Sequence, residues 1–174
     1  MKSDSKYKIE FAGLKIGSHQ FNFNADKKFF DRFNFSDFND VSVNIDIVLT
    51  KKSTLLELNF VLTGDVKLNC DLTNEPFDYQ IKHKASLVVK FGQDYNDEDD
   101  EILVLPHGEH KLYVDQYIFE LIVLSLPPKR IHPGVEDGSL KSEILDILED
   151  LKPKENSNLA DPRWEQLKKF KKIK

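Results

Sequence analysis

The sequence predicts an α+β protein: an antiparallel β-rich sheet or partly closed barrel of six to eight strands, with helices following in the C-terminal third. Three observations predict it. Apolar and polar residues alternate through most of the first 105 positions, which sets one row of side chains on one face of a strand. The breaks between these runs are short and polar or contain glycine, as turns between antiparallel neighbours require. Sustained helical spacing begins only after position 115.

Taken in order, Tyr7, Ile9 and Phe11 and then His19, Phe21 and Phe23 read as two strands joined by a loop, paired as a hairpin. Residues 26–33 carry a short helix with Asn24 or Asp26 near its start. Three period-two runs follow: Val41, Val43, Ile45, Ile47, Leu49; then Leu56, Leu58, Phe60, Leu62; then Val66, Leu68, Cys70, Leu72. They predict an antiparallel meander with one buried face. Phe77, Tyr79, Ile81 and Leu87, Val89, Phe91 add one or two strands. Residues 93–101 break the pattern as a solvated acidic loop, and residues 102–105 return as a short strand before a turn at His107 and Gly108. Asp115 is placed to cap a helix carrying Tyr117, Ile118, Leu121, Ile122 and Leu124, stopped by Pro127 and Pro128 because proline lacks the donor a helix needs. After a connector over residues 128–138, Ile144, Leu145, Leu148 and Leu151 predict a helix over residues 139–151.

The expected organisation is a β-rich domain over residues 1–127 ending in a covering helix, and a connector with a helix packed on it over residues 128–152. A linker follows over residues 153–160, then a basic C-terminal helix over residues 161–174. Asp161 and Pro162 suit the start of that last helix, since a proline at the first helical position gives up an N–H that would have no partner.

A chain of 174 residues with 40% hydrophobic residues and 13 Phe can build a core, which excludes disorder throughout. The longest apolar stretch, residues 118–126, contains Glu120 and Ser125 and falls well short of the roughly 20 residues that cross a bilayer. No apolar block of about 7–15 residues opens the chain, so export is not expected. The lone Cys70 suits a reducing compartment, and the expected location is the cytoplasm.

Charge is segregated. The chain nets −5, residues 94–101 hold six acids and no base, and residues 163–174 hold six bases and one acid. Trp164, Leu167, Phe170 and Ile173 recur every three residues on the predicted terminal helix, with Lys168, Lys169 and Lys172 on the opposite arc. Such a helix either docks on its own domain or offers its cations to RNA phosphates, with Trp164 as a packing or stacking anchor. Membrane-surface binding is the weaker third use, because so little apolar bulk anchors poorly. The acids Asp97, Glu98, Asp99 and Asp100 are the candidate contact for a basic partner; they lack the glycine and glutamate spacing of a calcium loop. His107 and His110 have no further ligand nearby, so no metal or other cofactor is expected. His19, His83 and His132 read as surface or capping residues, and Cys70 as a small buried hydrophobe. No nucleophile, phosphate loop or histidine–carboxylate pairing stands out, so the chain reads as non-enzymatic.

Three short motifs occur in a familiar order: Val66-Lys67-Leu68-Asn69-Cys70-Asp71 followed by Glu75-Pro76-Phe77; the helix from Asp115 ending Leu124-Ser125-Leu126-Pro127; and Asp161-Pro162-Arg163-Trp164-Glu165-Gln166-Leu167-Lys168-Lys169. Together they resemble the YceD family over roughly residues 40–172. The resemblance implies a protein needed for accumulation of large-subunit (23S) ribosomal RNA, in a family whose gene commonly neighbours that of a large-subunit ribosomal protein and to which no catalytic activity is attached. It also exposes a departure. Many relatives carry a second cysteine three positions after the first, and another pair downstream, suggestive of zinc; here the position is Thr73 and residues 131–140 contain no cysteine. The expected function is therefore a ribosome-assembly factor whose Arg163, Trp164, Lys168, Lys169 and Lys172 reach large-subunit rRNA or a pre-ribosomal particle. The rivals are an adaptor or chaperone for a basic ribosomal protein, and a small-ligand-binding β-barrel.

Overall fold

The computed structural model describes residues 6–99 and 101–152. The chain divides into two compact units, Met1–Leu140 and Lys141–Lys174. In the first, six strands form one sheet: β2 (Gly17–Asp26), β3 (Asp40–Lys51), β4 (Leu55–Asn69), β5 (Pro76–Gly92), β6 (Asn96–Asp99) and β7 (Ile102–Pro106), in the order β2-β3-β4-β5-β7-β6. Strands β1 (Lys8–Glu10) and β8 (Lys111–Tyr113) make a separate antiparallel pair. Three short helices belong to this unit: α1 (Lys27–Asp31), α2 (Asp115–Leu124) and α3 (Pro133–Glu136).

The expected buried face is present. Val43, Ile45, Ile47 and Leu49 of β3 lie opposite Gly64, Leu62, Phe60 and Leu58 of β4, and the apolar residues of both rows are buried. Each such side chain removed from water contributes about 1.5–3 kcal/mol, and the alternation leaves Ser42, Asn44 and Asp46 on the solvent side. Tyr7, Ile9, Phe29, Phe30, Leu112, Ile118 and Ile122 join the same hydrophobic cluster.

Several expectations need correcting. The sheet is mostly antiparallel but mixed, because β5 and β7 run parallel, and it is open, so the closed-barrel alternative does not hold. The first two strands do not pair as a hairpin. β2 takes the longer register offered by β3, from Gly17↔Lys51 to Asp26↔Ser42, while β1 pairs with β8. The connector between them is held instead by Lys51, whose Nζ donates to the carbonyls of Phe11, Ala12 and Leu14 at 2.9, 3.2 and 2.9 Å.

The supposed break at Gly64 is also absent: β4 runs through it, and the two apolar rows read as separate strands are one. A Cβ at Gly64 would collide with the Ser42 carbonyl and come within 2.6 Å of Val43 Cα, so glycine there permits a close approach of two backbones rather than a turn. The runs on either side of His83, expected to add one or two strands, are one strand, β5. Leu72, expected on the inward row, sits in the turn after β4 and is 40% exposed. The acidic stretch forms strand β6 rather than a loop, since β7 folds back alongside it, with an irregularity between Asn96 and Asp99.

Helix α1 is capped as its sequence suggests: Asp26 Oδ1 accepts from the Phe29 N–H at 3.0 Å, a contact type worth about 1 kcal/mol. Asp115 does not cap α2. It is the first residue of that helix, where a carboxylate suits the positive helix end, and it pairs with Arg32 at 3.3 Å. The connector contains the unforeseen helix α3, with His132 Nδ1 accepting from the Gly134 N–H at 2.9 Å and Pro133 at its start. In the second unit, α4 spans Glu143–Asp150, shorter than the expected residues 139–151, and its Ile144, Ile147 and Leu148 are exposed. No helix among the described residues is long and apolar enough to cross a membrane.

Candidate functional site

Of the four acids proposed for a basic partner, Asp97, Glu98 and Asp99 lie in β6 and are exposed; Asp100 lies outside the described residues. Their local conformation comes from side chains folding onto the backbone: Asn96 Oδ1 accepts from the Glu98 N–H and Asp99 Oδ1 from the Glu101 N–H, each at 2.9 Å. Asp97 and Asp99 line a groove of about 270 Å³ together with Tyr95, Tyr117, Glu120 and Leu124. Glu98 is not part of its lining. A second, more apolar cavity of about 360 Å³ shares Tyr95 and Tyr117 and is floored by Leu103, Leu105 and Leu112.

The two tyrosines sense the field in this groove. Burial, the hydrogen bond from Tyr95 Oη to Asp97 Oδ2 at 3.0 Å, and the charges of Asp97 and Glu120 all push the Tyr95 phenol above its usual range. Burial first, then Tyr95, Asp97 and Glu120, push Tyr117 the same way. Among the described residues Asp97, Asp99 and Glu120 have no cationic partner; Glu120 accepts only from the Gln116 side chain at 2.9 Å. Sequence reasoning missed Tyr95, Tyr117 and Glu120. The available signal was an aromatic residue embedded in an acidic run, and a Tyr and a Glu three apart on one helix face.

The Cys70 turn is the second place where chemistry collects. Cys70 is buried, as expected, and so is Thr73. Thr73 Oγ1 accepts from the Glu75 N–H at 3.4 Å, and Asn74 takes the positive φ of 58° that closes the turn. Residues 130–132 lie against this turn. The Asp71 N–H donates to the Arg130 carbonyl at 2.7 Å, the Arg130 N–H to Asp71 Oδ2 at 2.8 Å, and the His132 N–H to Cys70 Sγ at 3.3 Å. Hydrogen bonds thus tie the two segments together. Among the described residues no group of three or more His, Cys, Asp or Glu is placed to hold a metal ion.

Burial opposes ionisation of Cys70, yet the Thr73 hydroxyl and the N–H groups of His132, Thr73 and Leu72 outweigh it and hold the thiol below the ordinary cysteine range. Thr73→Val removes the strongest of these bonds, so the Cys70 titration followed by its ¹³Cβ resonance is expected to move to higher pH. An unmoved midpoint would show that the hydroxyl does not reach the thiolate.

His107 and His110 flank a turn in which Gly108 adopts a φ of 101°. The proposed RNA contacts, Arg163, Trp164, Lys168, Lys169 and Lys172, and the whole of the predicted linker lie outside the described residues.

Comparison with known proteins adds one finding. The family model described as large ribosomal RNA subunit accumulation protein YceD matches residues 58–171, from within β4 through the closing tryptophan–lysine motif. No curated protein and no solved structure matches the chain.

Proposed function

This chain belongs to the YceD family, and from that premise we propose that it is a non-enzymatic factor acting in the cytoplasm on large-subunit ribosomal RNA, which it meets within a pre-ribosomal particle. The observation that carries the proposal is the family match, which includes the motif Asp161-Pro162-Arg163-Trp164 and Lys168, Lys169 and Lys171 after it. Charge makes the division of labour. The chain nets −5, yet residues 153–174 hold seven bases and three acids. An acidic body repels phosphate and limits indiscriminate RNA binding, so the attraction is confined to the terminal segment.

Within that segment Arg163, Lys168, Lys169 and Lys172 neutralise phosphates and Trp164 serves as the packing or stacking anchor. Each neutralised phosphate contributes about −0.9 to the slope of log affinity against log salt on a duplex. Replacing Lys168, Lys169 and Lys172 together with Gln is therefore expected to flatten that slope by about 2.7 in a filter-binding series with a ribosomal RNA duplex. The same variant is expected to leave the large-subunit precursor fractions when cell extract is sedimented through a gradient. An unchanged slope and unchanged co-migration would remove the terminal lysines from the mechanism.

A further inference from the structure

The groove between α2 and β6 has a third wall that the acids alone do not suggest. β5 is paired with β4 from Pro76 to Lys90, but β7 covers its other side only from Val88 to Gly92. Among the described residues, no strand pairs with residues 76–87 on that side. The Val88 N–H points there, donating to the Glu101 carbonyl at 2.8 Å. Backbone groups of a strand alternate in direction, so the N–H and C=O of Ser86 and Lys84 point the same way, and Ser86 lines the groove. An open strand edge therefore runs into a slot whose opposite wall is α2.

We propose that this slot is a docking site for an extended, lysine- or arginine-bearing polypeptide segment of a partner protein, which adds as a short strand to the β5 edge at Ser86 and sets its cations against Asp97, Asp99 and Glu120. Three features select this occupant. The edge supplies main-chain hydrogen bonds that only an extended polypeptide can use. The three carboxylates have no cationic partner among the described residues, so they reward a cation and repel nucleic-acid phosphate. Tyr95 and Leu124, 55% and 78% exposed, give the slot an apolar lip for the side chains between the cations. Lys82 and Lys84 project from the outer face of β5 by alternation and oppose further pairing of a basic strand, which confines addition to the stretch beside the slot.

This adds a protein contact to the RNA contact proposed above. The two are read by different variants and different probes, so either can fail alone. The test uses the full chain and a short fluorescein-labelled peptide of alternating lysine and valine, followed by anisotropy, with its glutamate counterpart as control. D97N/D99N/E120Q is expected to weaken peptide binding about tenfold, the effect of losing three exposed ion pairs. D46N/D65N/D78N removes the same charge from the outer sheet face and is expected to change it less than about twofold. The Ser86 amide is expected to gain protection from hydrogen exchange when peptide is added. Equal weakening by both triple variants, or a Ser86 amide that exchanges as before, overturns the proposal. So does direct binding of a labelled short RNA that is lost in D97N/D99N/E120Q. A gain in peptide affinity on replacing Lys168, Lys169 and Lys172 would assign the slot to the chain's own terminus, and a dimer lost in D97N/D99N/E120Q would assign it to a second copy; either result overturns it.

Discussion

Gly64→Ala is expected to cost about 3 kcal/mol in chemical denaturation, a large share of the roughly 5–15 kcal/mol that holds a typical domain together. Gly64 occupies an inward position of β4, in phase with Leu62 and Val66, and faces Val43 across the register. An added Cβ meets the Ser42 carbonyl and Val43 Cα, both main-chain atoms of β3 where that strand is paired on both sides. Neither can move without lengthening ladder hydrogen bonds, so the strain cannot be relieved by a rotamer change. Thr63→Ala, one residue away on the outer face, is the control and is expected to fall within about 0.5 kcal/mol of the parent. A Gly64→Ala protein as stable as that control would show that β3 can give way.

Phe30→Ala is expected to be at least as damaging, about 3–5 kcal/mol. Phe30 is buried at the hub of an aromatic cluster, with ring centroids 5.2 Å from Phe29, 4.8 Å from Phe38, and 5.9 Å from both Phe35 and Phe119. Phe119 belongs to α2 and also stacks on Phe33 at 4.4 Å, so removing the Phe30 ring opens a void between two helices and the sheet rather than at its margin. Edge-to-face contacts such as those with Phe29 and Phe38 add to the loss of buried area. Because α2 also carries Tyr117 and Glu120, the measurement that isolates this effect is the denaturation midpoint, not ligand binding. A loss below about 1 kcal/mol would mean that the neighbouring rings collapse into the space.

The alternation that announced the strands was legible because the inward rows of the central strands β3 and β4 are buried along nearly their whole length. Its phase carried more than was read from it. Positions 56, 58, 60, 62, 64, 66 and 68 share one parity, as do 77 through 91 counted in twos, so a single strand passes through Gly64 and another through His83. Glycine and polar residues look like breaks when composition is weighed without parity. What sequence could not show was pairing between distant segments. The partner of β1 lies near position 112, and β7 reaches β5 in parallel only after the chain has reversed through β6. The β6 residues have no apolar row at all, so their strand conformation is imposed by β7 and the backbone contacts of Asn96 and Asp99. The candidate groove was half legible: the acidic run gave Asp97 and Asp99, while Glu120 and Tyr117, neighbours on one face of α2, are brought to it by tertiary folding.

The pairing of β1 with β8 bears on how the chain acquires its shape. Lys8 to Glu10 are synthesised well before the segment they pair with, Lys111 to Tyr113, which follows about a hundred residues later. Closing so long a loop carries a large entropic cost before any contact repays it. The consecutive hairpins of β3, β4 and β5 bear no such delay and can zip as they appear. Ile9, whose register partner is Leu112, therefore gains that cover only when the β8 segment arrives, and until then the β1 backbone is open to unwanted association.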